Sequence, residues 1–304
     1  MLVLGGQAQA APAPAADTPA TTVSPLTVTG EIPRLSRPAM SRAIDHFVRA
    51  REVATRVDRV ARWREPICVE TIGLPEAMDA AITRRIVQAG ASIGAPPPAP
   101  AHCTANVEVV FTAQPQTFID LVARRRWILL GYHYASQTKR ISRITHPIQA
   151  WYVTGTQAYS NGTAAVVGTM AQTEVGSGQV AIDDPMGRAP SGEAGTRFNT
   201  SLQSEFANVL IVVDQAKVAG QATDAIADYV AVLAFAPVAN LDACNPLSSI
   251  LDMFAACAPP RAPQSLTASD LAYLKALYAA DTRLEVSMVR NQIWTNMMGA
   301  LRPR

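Results

Sequence analysis

Residues 208–213, read NVLIVV, constrain the fold of this chain more than any other stretch. A half-exposed strand alternates apolar with polar side chains, so an unbroken apolar run of this length predicts a strand covered on both faces. Such a strand needs helices against it, and the next segment supplies one. Ala222, Ala225, Ile226, Tyr229, Val230 and Leu233 recur at i, i+3, i+4, i+7, i+8 and i+11, which predicts an amphipathic helix that Pro237 ends.

Upstream, Ile44, Phe47, Val48, Val53, Val57 and Val60 predict a helix over 41–62. Residues 67–72 (ICVETI) and 106–112 (NVEVVFT) are strand candidates. Between them Pro75 suits the first turn of a helix to about 89, with Ala77, Ala81, Ile82 and Ile86 on one face, and 94–100 (GAPPPAP) is a stiff loop. A helix over 115–126 completes a β-α-β-α unit. Residues 148–154 (IQAWYVT) read as a strand, whereas 155–197 are rich in Gly, Ser and Thr and form a long hairpin or a mobile insertion. Thr267 and Asp270 have the spacing of a helix cap, for a helix to 278, and a last helix covers 286–301.

Composition excludes several classes. With 49% hydrophobic residues over 304 positions the chain can bury a core, so a wholly disordered protein is excluded. Its 26 basic and 24 acidic residues leave a net charge of +2, too balanced for a general nucleic-acid or membrane-surface binder. No run of ~18 apolar residues is present to span a bilayer. Residues 1–16, MLVLGGQAQAAPAPAA, run from an apolar stretch into small residues of A-x-A character. This predicts the remnant of a secretory signal ahead of a disordered Ala/Pro-rich leader to residue 38, against a merely flexible tail, and hence a periplasmic or secreted location. Four cysteines fit that compartment as two disulfides. Of the three possible pairings, Cys68–Cys103 and Cys244–Cys257 each close a local loop. No CxxC occurs and only four histidines are present, which disfavours a zinc site.

The order from residue 209 onward is buried strand, helix, Ser249-Ile250-Leu251, then Leu266-Thr267, Asp270, Leu274 and Leu277-Tyr278. It resembles the C-terminal half of the matrixin-like zincin metalloproteases. There a helix carries HExxHxxGxxH, a serine-hydrophobic-methionine turn follows, and an LT-x-x-D helix ends the domain. The whole layout is also similar to secreted proteobacterial proteins with no assigned activity. The resemblance implies an α+β, zincin-like single domain over 39–304, a mixed sheet packed on helices. It also implies that the chemistry is gone. Ala227, Asp228, Ala231, Ala234 and Pro237 stand where H, E, H, G and H would, and Leu251 replaces the turn methionine. Zinc hydrolysis needs two imidazoles at i and i+4 with a glutamate between them, and no histidine follows His146. The expectation is a pseudo-enzyme with no metal and no cofactor.

Asp224 and Asp228 lie at i and i+4 beside Tyr229. In a zincin cleft the two carboxylates would line the floor and could activate water or hold a cation. The plainer reading has Asp224 charging the helix N-terminus and Asp228 facing water. His46, His102, His133 and His146 form no motif, and no G-x-S-x-G elbow anchors a nucleophile. Arg124, Arg125 and Arg126 with Trp127 form the one basic cluster, suited to an anionic ligand such as a lipid headgroup or polymer, or to offsetting a helix C-terminus. The leading expectation is a non-catalytic binding or envelope-associated protein. Its strand 148–154 could take an extended peptide by β-augmentation. A hydrolase working from an Asp-lined cleft is the alternative.

Overall fold

The computed structural model describes residues 33–55, 57–131, 135–160, 163–166, 172–175, 178–181, 202–256 and 263–302. Helix α1 (Arg37–Arg49) precedes strand β1 (Val69–Ile72), helix α2 (Glu76–Ile93) and strand β2 (Val107–Thr112). Helix α3 (Pro115–Arg125), a 3-10 turn (Trp127–Leu130) and helix α4 (Ala135–Ile141) lead to the long strand β3 (Ile148–Ser160). The short strands β4 (Thr163–Val166), β5 (Gln172–Val175) and β6 (Gly178–Ala181) separate it from strand β7 (Leu202–Asp214). One-turn helix α5 (Gln215–Val218), helix α6 (Thr223–Phe235), a 3-10 turn (Ile250–Phe254), helix α7 (Ala268–Ala279) and helix α8 (Val286–Ala300) complete the chain.

The protein is α+β, with a mixed sheet of order β1-β2-β7-β3-β4. Strands β1, β2 and β7 are parallel, β3 runs antiparallel to β7, and β4 is a short return pairing with the last four residues of β3. Alternation decides which face each side chain meets. Val107, Val109 and Phe111 of β2 and Val209, Ile211 and Val213 of β7 enter a large core shared with α1, α2, α6, α7 and α8. Val110, Leu210 and Val212 enter a thinner layer beneath Ile119, Val122, Leu129 and Leu130. Every residue from Phe206 to Val213 is buried, so β7 is covered on both faces, as its apolar run predicts.

Several boundaries move, each for a tertiary reason. The helix expected over 41–62 stops at Arg49, because Arg51 turns inward and its side chain is buried against Ser249. The chain then runs irregularly past Asp58, at φ 54°, to Trp63, whose indole donates to the Ala234 carbonyl. Strand β7 begins six residues before the apolar run, through Gln203, Ser204 and Glu205. Polar residues obscure it in sequence, yet their backbone pairs with β3. The segment expected over 155–197 begins as a continuation of β3, and most of it lies outside the described residues. The leader expected to residue 38 lies outside them over 1–32 but is ordered at its end, because α1 already starts at Arg37 with Pro38 in its first turn. The Cys68–Cys103 disulfide is formed. Cys244 is also disulfide-bonded, and Cys257 lies outside the described residues.

Helix α6 departs most from its periodicity. Ala225 through Phe235 are all buried, so no polar face remains and the helix runs through the interior. It crosses α2 at Gly90, where a Cβ would lie 2.6 Å from the Phe235 ring. Phe235 is itself fully buried and cannot swing away. Gly90→Ala is expected to cost about 1–3 kcal/mol of stability by overpacking. Combining it with Phe235→Leu should cost less than the two changes summed, as read from urea unfolding midpoints.

Candidate functional site

The helix–turn–helix segment that carries the resemblance is held by two buried polar knots. In the first, Asp228 of α6 is 0% exposed and faces Arg85 of α2, which is 2% exposed. Arg85 Nε donates to Asp228 Oδ1 at 2.7 Å, and its Nη2 donates to Oδ2 at 2.9 Å. The Leu266 backbone N–H donates to the same Oδ2 at 2.9 Å. A buried carboxylate demands this saturation, because an unpaired one would carry a desolvation penalty of several kcal/mol. The Asp228 hydrogen bond raises the Arg85 guanidinium pKa, and the nearby charge of Asp224 acts in the same direction.

The second knot ties the Ser249 turn to α7. Asp270 Oδ1 accepts from Ser249 Oγ at 2.6 Å, and Oδ2 accepts from the Ile250 N–H at 2.8 Å and from Thr267. Thr267 and Asp270 also make the expected reciprocal cap at the start of α7. Arg51 Nη2 donates to Ser249 Oγ at 2.7 Å, and the guanidinium lies 3.5 Å from the centre of the Phe47 ring. Burial lowers the Arg51 pKa, opposed by the Asp270 charge. The serine turn and the LT-x-x-D helix, separate motifs in sequence, are thus one hydrogen-bonded unit.

The candidate residues do not assemble into one solvent-facing cluster. Asp224 is half-buried in the first turn of α6, where its charge complements the helix N-terminus. Asp228 neither faces water nor lines a cleft floor, since both its oxygens are engaged inside the protein. Tyr229 is 1% exposed and meets Phe254 edge-on, and burial raises its phenol pKa. Ala227, Ala231, Ala234, Pro237 and Leu251 are buried as well. His46 bonds Asn245, His146 lies 3.2 Å from Asp242, and His133 is outside the described residues. Among the described residues no group of three or more His, Cys, Asp or Glu converges.

Beside the helix lies a sheet edge that, among the described residues, has no partner strand over 148–156. Strand β3 pairs with β7 along its inner side, while its outer side meets β4 only over 157–160. Asp214 N–H donates to the Pro147 carbonyl at 2.8 Å, so residues 147, 149, 151 and 153 turn their backbone groups toward β7. Ile148, Ala150 and Tyr152 therefore present theirs outward, up to the register shift between Val153 and Thr154. Tyr152 is braced from below, its hydroxyl donating to the carbonyls of Leu233 and Ala236 at the end of α6.

Arg85 and Arg51 are the residues that sequence reasoning passes over. Arg85 shares a helix face with Ile82, Ile86 and Ala89, and a lone arginine inside such a stripe is the available signal of a buried partner. No protein-family model, curated protein or solved structure matches this chain.

Two measurements test the knots. Asp228→Ala leaves the Arg85 charge buried and is expected to cost about 3–5 kcal/mol, whereas Arg85→Met with Asp228→Leu should recover most of it. Burial also raises the Asp252 carboxyl from 3.8 to about 6, opposed by the Ser249 N–H that it accepts. The folded state then holds a proton that the unfolded chain has released. Asp252's contribution therefore makes stability fall as pH rises through the window from 3.8 to about 6, and level off above it. Asp252→Asn should remove that slope from thermal midpoints compared across the window.

Proposed function

We propose that this chain is a non-catalytic, zincin-like binding protein working in the periplasm or outside the cell. Its ligand is an extended peptide segment that adds a strand to the outer edge of β3. The observation that carries the reading is the pairing of an outward-facing backbone edge over 148–153 with a neighbouring helix whose catalytic positions are packed or saturated. Strand addition supplies affinity through main-chain hydrogen bonds, and the side chains flanking the edge supply selectivity.

Three further observations support the zincin-like part. A parallel strand leads into the buried helix, a serine turn follows, and the LT-x-x-D carboxylate clamps that turn. The Cys68–Cys103 disulfide favours an oxidising compartment. The hydrolase alternative is the weaker reading, because it requires Asp228 free in a solvent-filled cleft, and its carboxylate already accepts three hydrogen bonds.

The test is selection from a random peptide library on the oxidised full chain. Selected peptides should protect the Ala150 and Tyr152 amides from hydrogen exchange. Ala150→Pro removes one outward N–H without touching the β7 ladder, and edge strands tolerate proline there. It is expected to weaken binding ~10-fold, on the scale of one or two lost hydrogen bonds, at an unchanged melting midpoint. Peptides that protect another surface, or that bind the proline variant equally, would overturn the edge assignment. Zinc-dependent cleavage of casein by the purified protein would overturn the non-catalytic one.

A further inference from the structure

The far side of the sheet carries a surface that the reading above does not use. From Leu121 to Thr173 the sequence contains no Asp or Glu, while Arg124, Arg125, Arg126, Lys139, Arg140 and Arg143 all fall between 124 and 143. The structure collects them on α3, α4 and the turns beside these helices, and all six are exposed. A cavity of about 580 Å³ opens between the two helices, lined by Asp120, Ala123, Arg124, Trp127, Lys139 and Ser142 among others. A second, of about 500 Å³, shares Asp120, Lys139 and Ser142 with it and adds Arg143. Asp120 is the one acid in this trench, and its Oδ1 accepts from Gln116. Arg124, Lys139 and Arg143 take part in no ion pair among the described residues.

Charge is half of the pattern. Trp127 is 42% exposed and Leu121 41%, two of the six large apolar side chains exposed among the described residues. Leu121 lies three and four positions before Arg124 and Arg125, so all three share one helix face. Trp127 opens the next turn and borders the same cavity as Arg124 and Lys139. Cations without an ion pair among the described residues, interleaved with an outward tryptophan and leucine, make an interfacial surface. The cations attract phosphate, while the indole and the leucine enter the boundary between headgroups and acyl chains. A soluble polyanion would use the cations and leave Leu121 without a role.

We propose that this face docks on bilayers containing anionic phospholipid, seating a headgroup phosphate between Arg124 and Lys139. The overall charge of +2 conceals the site, because the acidic residues that balance it lie elsewhere in the chain.

The test is co-sedimentation of the oxidised full chain with vesicles. Phosphatidylcholine vesicles containing phosphatidylglycerol should bind it, phosphatidylcholine alone should not, and added sodium chloride should release it. Arg124→Glu with Lys139→Glu is expected to weaken binding by roughly 30-fold or more, from the contribution of each basic residue near a charged surface. Trp127→Ala should weaken it too, with the melting midpoint of each variant confirming that the chain is folded. Should the double charge reversal unfold the chain, Arg124→Gln with Lys139→Gln reads the same loss at smaller amplitude. Equal binding to uncharged vesicles, no sedimentation, or an unaffected double variant would overturn the proposal. So would full displacement by inorganic phosphate at matched ionic strength, which would assign the cavity to a soluble anion. Tight heparin binding that ignores Trp127→Ala would assign the face to an anionic polymer instead, and would likewise overturn it.

Discussion

The buried pair of Arg85 and Asp228 sets the arrangement around it. Each is a charge placed in the middle of an otherwise apolar helix face, and neither is tolerable there without the other. Their bidentate geometry fixes α2 against α6 at one rotation and one height. The third hydrogen bond, from Leu266, then brings in the segment that leads into α7. Ile82, Ile86 and Phe235 belong to the same buried core, and Gly90 lets α2 close against Phe235 of α6. Hydrophobic burial drives the assembly, but it is non-directional. The ion pair selects one packing of these helices from many of similar apolar area.

The second knot does the same for the C-terminal third. Asp270 accepts from the Ser249 turn and from its own helix cap with one carboxylate, so the position of α7 and the shape of the turn cannot vary independently. Alanines at Ala227, Ala231 and Ala234 suit this surrounding density. Small side chains let neighbouring elements approach α6 closely, and imidazoles at the same sites would hold them apart. On the zincin-like reading, loss of the metal ligands and closure of the interior around the helix are two aspects of one change.

Much of this was legible in the residues. The apolar run of β7, the cap of α7, the proline starts of α2 and α3 and the pairing of Cys68 with Cys103 are local signals, and each appears where it was expected. Long-range contacts were not legible. Nothing local marks Arg51 as the end of α1, because its partner Ser249 lies 198 positions away. Asp228 resembled a surface residue because a period of 3.6 identifies an apolar stripe without showing whether the opposite side is also covered. The 3-10 turns and α4 are short, and elements of that length carry too few repeats for a period to register. Balanced net charge hid the basic face for a related reason: a sum over the chain carries no information about where folding puts each sign.

The register shift between Val153 and Thr154 bears on self-association. Identical chains that share an open edge tend to stack through it into continuous sheets. The extra residue at the shift is Ala207 of β7, since Val153 faces Asn208 and Thr154 faces Phe206. Strand β3 thus keeps its own alternation but takes on extra local twist, which a flat incoming strand can follow for only a few residues. The opposite margin, β1, is four residues long and belongs to the parallel part of the sheet. One margin is twisted and the other is short, so the edge accepts a brief segment while resisting fibre growth.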